Sequence, residues 1–420
     1  MQTSSSPPEY SAHPSLGLVY IFGIAKAKLD VKRSRTTKDG DHKMRVGVVG
    51  VGLLGSQHAN VVASHPDTTL VAVVDPRARP VKEVADDTGA NHYPDLDSML
   101  SREALDCVIV ATPDPYHREP VVEAARAGIP YIITEKPLAT TVSDARQMRD
   151  AVEKSGSDLY ILFPNRFNPL DRVVQYAAQN GLLGDPIHGD VRLDDNISVP
   201  LELWGKRSKD WASGSSTAHF LLSHVVDLLR WYFRPADVVE VYAISHDRVL
   251  GFTPDLYDAY LTFDSGLTVR VKAEWIRRFD ALVEFELTFS GDRGGITYRK
   301  HPAFRSQRGL RLDTYGESRA SLDRHIRELG KQGIRGKVIS DPKARSPLVL
   351  EFYGEDNPLD WDSALHHYLQ AIAAGQSEPA LPRFGPLPGL DDALRQVDIV
   401  AAIVQSAQTG KKQKVGDSRS

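Results

Sequence analysis

The residues best suited to chemistry begin at Gly50. Gly50-Val51-Gly52-Leu53-Leu54-Gly55 directly follows the apolar run Val46-Gly47-Val48-Val49 and opens a helix-like segment, Leu54 to Ala63. Asp75 lies twenty residues beyond Gly55 and ends a second apolar run, Leu70 to Val74. A strand, a glycine turn, a helix start and a carboxylate in this order form a dinucleotide-binding signature. Gly50 permits the tight turn, Gly52 lets the backbone approach a pyrophosphate, and Gly55 lets helix pack on strand. The helix start at Leu53 and Leu54 offers free N–H groups to the phosphates. Asp75 is expected to accept from both ribose hydroxyls, which favours NAD and repels the 2′-phosphate of NADP. Arg77 and Arg79 keep NADP open, because arginine pairs with phosphate.

A second cluster is Thr134-Glu135-Lys136-Pro137, at the end of the apolar run Tyr131 to Thr134. In an open parallel sheet, ligands sit beyond the carboxyl ends of the strands. Lys136 is therefore aimed at the cofactor crevice. An ammonium there can donate to a substrate hydroxyl or to its developing alkoxide. With a lowered pKa it can also relay the proton that leaves as hydride is transferred. Position alone is equally compatible with a surface charge.

These groups need a frame. From Arg45 the chain alternates near-continuous apolar runs (46–49, 70–74, 106–111, 131–134, 159–163) with helix-like segments at 54–63, 119–127 and 143–154. That alternation predicts a doubly wound parallel sheet covered on both faces, spanning 44–164. After Phe163 the rhythm changes. Asn168-Pro169 is a cap followed by proline at the first helical position. The alternating runs Tyr257–Phe263 and Leu267–Trp275, joined by Asp264-Ser265-Gly266, read as an antiparallel hairpin. Residues 165–413 are thus expected to form a second domain around a mostly antiparallel sheet. Within it, 299–345 is strongly basic. It reads as a solvated loop with a surface helix over Ser318–Leu329, or as a positively charged lid. Helices are expected at Asp362–Ala373 and Leu390–Gln408, then a frayed basic tail. Residues 1–43 read as an unstructured extension. Trp275 is either a packing residue or a platform for a sugar ring.

Composition narrows the function classes. The chain has 420 residues, 41% hydrophobic and 25% charged, with net charge −4. Nothing in that balance points to nucleic acid or anionic membrane as partner. The apolar run Leu16–Ala25 is half the ~20 residues a bilayer span needs. The single cysteine, Cys107, lies in an apolar run and reads as a buried small hydrophobe. With no disulfide possible, a cytoplasmic setting fits. No metal site is read from the sequence.

Ala111-Thr112-Pro113-Asp114-Pro115-Tyr116-His117, Ala127-Gly128-Ile129-Pro130 and Glu135-Lys136-Pro137, with the glycine signature, resemble the glucose–fructose oxidoreductase, inositol dehydrogenase and rhizopine catabolism family. The resemblance runs from about Met44 to Val415 and weakens over 299–345. It implies an N-terminal Rossmann domain and a C-terminal α/β domain whose open sheet forms a dimer or tetramer interface. It implies hydride transfer between a nicotinamide and a hydroxyl carbon of a sugar, cyclitol or related polyol, with Lys136 at the active site. Thr112, Pro113, His117 and Glu135 are then cofactor contacts, and Arg166 a substrate contact or an interdomain ion pair.

The family's second catalytic segment is matched by His224 and Asp227, but its aspartate position holds Phe220. His224 is expected to assist as acid/base or hydrogen-bond donor. Phe220 is expected to pack on or narrow the cleft. Two other activities fit the same residues: a glycosidase using transient oxidation by bound NAD, and a non-catalytic nucleotide-sensing regulator.

Overall fold

The computed structural model describes residues 43–339, 348–353, 364–375, 380–381 and 385–418. The expected N-terminal extension, apart from Lys43, lies outside the described residues.

Six parallel strands form the first sheet: β1 (Met44–Val49), β2 (Thr68–Val74), β3 (Asn91–Tyr93), β4 (Cys107–Val110), β5 (Tyr131–Thr134) and β6 (Asp158–Ile161). Their order is β3-β2-β1-β4-β5-β6. This is the doubly wound order, with its crevice beyond the carboxyl ends of β1 and β4. Helices α1 (Leu53–Ser64), α2 (Ala78–Thr88), α3 (Leu96–Leu100), α4 (Arg118–Arg126) and α5 (Val142–Ser155) connect them. Strand β4, and β1 from Val46 onward, are apolar because helices cover both faces. Cys107 is fully buried there, and desolvation pushes its thiol pKa far up.

Residues Pro169–Gln179 form α6, whose N-cap Asn168 accepts from Leu170 N–H. The second sheet has ten strands: β7 (Pro186–Asp195), β8 (Val238–His246), β9 (Leu256–Phe263), β10 (Thr268–Glu274), β11 (Val283–Gly291), β12 (Gly294–His301), β13 (Gly309–Thr314), β14 (Lys337–Ile339), β15 (Leu348–Tyr353) and β16 (Gln413–Lys414). The pair β7–β10 is parallel and the other pairs are antiparallel. The predicted hairpin is β9–β10, with Val269 opposite Leu261. Helices α7 (Ser198–Glu202), α8 (Ser208–Ser213) and α9 (Ser223–Phe233) pack beside this sheet, with a widened π-turn over Ala218–Leu222 leading into α9.

Two expectations change. The surface helix expected over Ser318–Leu329 is present and N-capped by Ser318, but the rest of the described part of 299–345 supplies strands where a solvated loop or a lid was expected. The segment runs through the end of β12, then β13, helix α10 (Arg319–Lys331) and β14. Leu310 and Leu312 alternate with Arg311 along β13 and are buried, and Leu322 and Leu329 form the buried face of α10. The basic tail is not frayed as far as Ser418. Strand β16 pairs with β8, Val415 N–H donates to Val239 O, and Ser418 is held by Asp398.

The two C-terminal helices, α11 (Ala364–Ala373) and α12 (Leu390–Thr409), tie the halves together. Leu365, Tyr368, Leu369 and Ile372 of α11 return to the first domain and join the core of Val46, Val48 and Ile109. Helix α12 buries Leu394 and Val397 against the first domain, and Ile399, Val400 and Ile403 against the second.

Candidate active site

The crevice is built from the turn after β1 upward. Gly50 adopts φ +88°, and a Cβ there would come within 2.7 Å of Ala111 O. A Cβ on Gly55 would sit 1.8 Å from Gly50 O, so only glycine lets α1 start so close to β1. At Gly52, by contrast, a Cβ would meet nothing within 4 Å, and no side chain caps α1. Open space faces the uncapped N–H groups at Leu53 and Leu54. A pyrophosphate fits this arrangement on both counts.

Asp75 is buried at the end of β2, and accepts from Val51 N–H at 3.0 Å. Arg77 grips the same carboxylate through Nε and Nη2, each at 2.6 Å. Burial pushes the Asp75 carboxyl up, but the Arg77 and backbone hydrogen bonds outweigh it and hold the group below the usual carboxylate range. Arg77 is thus tied down by Asp75 itself. Asp75→Ser should weaken NAD by ~1–3 kcal/mol, the scale of a lost charged hydrogen bond. It should also release Arg77 and improve NADP relative to NAD in a fluorescence titration. A wild type that already prefers NADP would contradict this assignment.

Thr112 and Pro113 lie on the rim beyond β4. Thr112 Oγ1 donates to Tyr116 O at 3.0 Å. His117 is buried, and both its ring nitrogens face carbonyl oxygens, Thr112 at 2.8 Å and Pro137 at 2.7 Å. It therefore fastens the loops after β4 and β5 to each other and has no ring nitrogen left to offer a cofactor. Glu135 is likewise turned inward, with Oε1 2.7 Å from His58 Nε2 of α1. Sequence reasoning missed His58 because a histidine within a helix carries no local signal.

Lys136 lies two residues beyond the end of β5 and is buried. Its Nζ donates to Phe220 O at 3.1 Å and lies 3.6 Å from the centroid of the Phe220 ring. Desolvation lowers its pKa, against the opposing pull of Asp114, Glu135 and Asp195. Phe220 belongs to the π-turn, and His224 to α9 immediately after it. Its ring packs edge-on against Trp211 at 4.8 Å and Trp204 at 6.2 Å, and tilts against Trp275 at 6.1 Å.

Trp275 itself is fully buried, with Nε1 donating to Asp195 Oδ2 at 3.4 Å. It is a packing residue behind Phe220, not a platform for a sugar. Trp204 and Trp211, which the sequence reading passed over, are with Phe220 the partly exposed members of this aromatic wall.

Arg166 is also resolved in favour of packing. It is buried, with Nε 3.0 Å from Asp227 Oδ2 and Nη1 3.2 Å from Asp392 Oδ2. The two carboxylates hold the guanidinium charged against the cost of burial. This triad joins the end of the first domain to α9 and α12, so Arg166 does not face a substrate and Asp227 orients α9.

His224 lies one helical turn before Asp227 and is partly exposed. Asn165 Nδ2 is 3.2 Å from its Nδ1. Desolvation, with Lys136 and Lys300 nearby, lowers its pKa well below the usual histidine value, so the ring is neutral.

Two carboxyls were not foreseen. Asp114 accepts from Trp211 Nε1 at 3.1 Å and Ser215 Oγ at 2.7 Å, clamping the β4 loop to the aromatic wall. Asp195 ends β7. Burial pushes its pKa up to about 7, although Trp275 and Lys136 pull the other way.

Residues 44–163 match a family described as oxidoreductases with an NAD-binding Rossmann fold, and residues 172–297 match the GFO/IDH/MocA C-terminal domain. The chain belongs to the GFO/IDH/MocA family of oxidoreductases, and its first domain is the NAD-binding one.

Among its relatives, inositol 2-dehydrogenase of Acidothermus cellulolyticus is 31% identical over 226 residues, 53% of this chain and 62% of that enzyme. The chain thus matches about three-fifths of that relative's length. D-glucoside 3-dehydrogenase of Escherichia coli is 24% identical over 327 residues, 73% of this chain and 92% of that enzyme. The WlbA dehydrogenase of Bordetella pertussis, solved with NADH and UDP-GlcNAcA, is 22% identical at a TM-score of 0.71, covering 90% of this chain and 99% of that one. At that identity the likeness shows the fold.

Proposed function

We propose that the protein is an NAD-dependent dehydrogenase that oxidises a hydroxyl on a sugar-like or cyclitol-like substrate carrying an apolar part. The observation that carries the reading is Lys136. A buried lysine of lowered pKa stands just beyond the carboxyl end of β5, between the glycine turn and the second domain, with its Nζ on the Phe220 carbonyl and ring.

Bound at the glycine turn, NAD would supply the hydride acceptor. The chain's own residues do the rest. Gly50, Gly52 and Gly55 shape the pyrophosphate seat, and Asp75 meets the adenosine ribose. Lys136 takes the proton from the substrate hydroxyl as the carbon loses hydride. His224, neutral and adjacent, hydrogen-bonds the same substrate. Trp204, Trp211 and Phe220 make one side of the cleft apolar and exclude water.

Phe220 narrows the substrate class. A phenyl ring can neither accept a hydrogen bond as a carboxylate would nor deprotonate an alcohol. A substrate part such as an aglycone can pack on it, contributing ~1–3 kcal/mol of binding. In a steady-state comparison on inositols, aldoses and their glycosides with NAD, the wild type should favour the glycosides. Phe220→Asp should weaken those substrates and raise trace activity on inositol, because the new carboxylate lies beside Lys136. Efficient wild-type oxidation of unsubstituted inositol would overturn the proposal.

The relatives named as inositol and glucoside dehydrogenases support the substrate class. Among the described residues no helix is long and apolar enough to cross a membrane. The outer face of the second sheet exposes Tyr242, Ile244 and Tyr260, with Tyr242 directly opposite Tyr260 on neighbouring strands. A contiguous apolar patch of this kind marks an interface. We assign it to a second copy of the chain, so the protein should sediment as a dimer or tetramer. A monomer at micromolar concentration would contradict that.

A further inference from the structure

Behind His224 lies a fully buried chain of polar groups that the catalytic reading does not use. It starts at Asp171 in the first turn of α6 and Lys300 in β12, both with no solvent exposure, whose Nζ and Oδ2 are 2.6 Å apart. The other Asp171 oxygen accepts from the Tyr232 hydroxyl. Lys300 Nζ also donates to Asn165 Oδ1 at 2.6 Å and lies 4.8 Å from the centroid of the Phe285 ring. A carboxylate, an amide oxygen and an aromatic face around one nitrogen are the surroundings of an ammonium, which has donors only.

These surroundings fix the direction of the Asn165 amide. Its oxygen must face Lys300. Its Nδ2, a donor only, must then face His224 Nδ1, at 3.2 Å. A ring nitrogen that accepts carries no proton. In the neutral imidazole the proton therefore sits on Nε2. A doubly protonated ring would set N–H against N–H at this contact, so the same amide disfavours the cation.

We infer that Asp171, Lys300 and Asn165 are positioning residues that hold His224 as the neutral Nε2–H tautomer, with Nε2 as a donor and Nδ1 withdrawn from the chemistry. The consequence for the reaction rests on the dehydrogenase reading above. His224 would donate a hydrogen bond to a substrate oxygen, and proton removal would fall to Lys136 alone. His224 is flanked by Lys136 and Lys300, the two cations that, after desolvation, lower its pKa. Neither supplies a carboxylate to pull the proton to Nδ1.

The test is nuclear magnetic resonance of the full chain with isotopically labelled histidine ring nitrogens, the His224 signal being identified by its loss in His224→Gln. The wild type should carry the proton on Nε2. Asn165→Asp replaces the donor by an acceptor of the same shape and should move the proton to Nδ1. Lys300→Met combined with Asp171→Leu, which leaves no orphaned carboxylate, should give a mixture of tautomers. In parallel, Asn165→Asp should lower kcat by ~10–100-fold, the scale on which orienting partners act, with NAD dissociation unchanged within about twofold.

A wild-type proton on Nδ1, or an unmoved Nε2 proton in Asn165→Asp, would overturn the inference. The tautomer is read without turnover. Absence of dehydrogenase activity on every alcohol would therefore remove the catalytic reading and leave the tautomer result intact. Because the wild-type spectrum is itself decisive, a variant that fails to fold does not spare the inference.

Discussion

Lys136→Ala is expected to lower turnover by ~10²–10⁴, the usual scale for a lost proton-transfer group, while NAD affinity changes by no more than a few fold. The separation follows from position. Lys136 lies just beyond the end of β5 and docks on Phe220, away from the glycine turn that seats the pyrophosphate. The pH profile should carry the same signature. Desolvation disfavours the ammonium, so its pKa is lowered and the neutral amine is populated at lower pH than for an ordinary lysine. In the oxidation direction, kcat/KM should rise with pH through that ionisation and level off above it. Lys136→Ala should abolish the rise, and Lys136→Arg should not restore it, because a guanidinium does not give up its proton in this range. Near-normal turnover in Lys136→Ala would rule out the role.

The largest expected effect on stability is at Arg166. Removing one partner of a buried ion pair costs ~3–5 kcal/mol, because it leaves uncompensated charge in the interior. Arg166→Leu would strand Asp227, with 1% of its side chain exposed, and weaken the hold on Asp392. Arg230 and Arg234 still reach Asp392, so Asp227 suffers most. A thermal melt should show a lower midpoint, and the loss should be greatest at neutral pH, where Asp227 is driven to ionise without its partner. Arg166→Leu together with Asp227→Leu should recover part of the loss. An Arg166→Leu midpoint equal to wild type would mean that this triad does not brace the two domains.

How far the sequence could be read follows from what each segment buries. Strands β1, β2, β4 and β5 are apolar runs because helices cover both faces, and they were legible to within one or two residues. The segment containing α2, β3 and α3 was not. Helix α2 buries only Val81 and Ala85, and Asn91–Tyr93 is a short edge strand with its first two residues exposed. Neither leaves a strong apolar pattern. In the basic stretch 299–345 the helix was legible, but the strands were hidden for a related reason. Its strands lie toward one edge of a sheet, where every second residue meets water, so charge hides the apolar alternation.

At the site, the glycine turn was legible because backbone geometry forces the residue type. Lys136 was legible because strand ends point at crevices. Arg166 and Trp275 were not, since the same side chains serve packing and binding equally well. Arg166 is decided by Asp227 and Asp392, and Asp392 is distant in sequence. Trp275 is decided by its burial behind Phe220. The chain Asp171–Lys300–Asn165–His224 joins α6, β12 and α9 and has no local signature at all.

The most direct test of the central claim is NADH formation by the wild type and by Lys136→Ala on one panel of sugars, cyclitols and glycosides, with products identified by mass spectrometry. The account predicts stoichiometric NADH and a product two hydrogens lighter than the best substrate, from wild type only. Release of a free sugar with no net NADH, or equal NADH formation by both proteins, would contradict it.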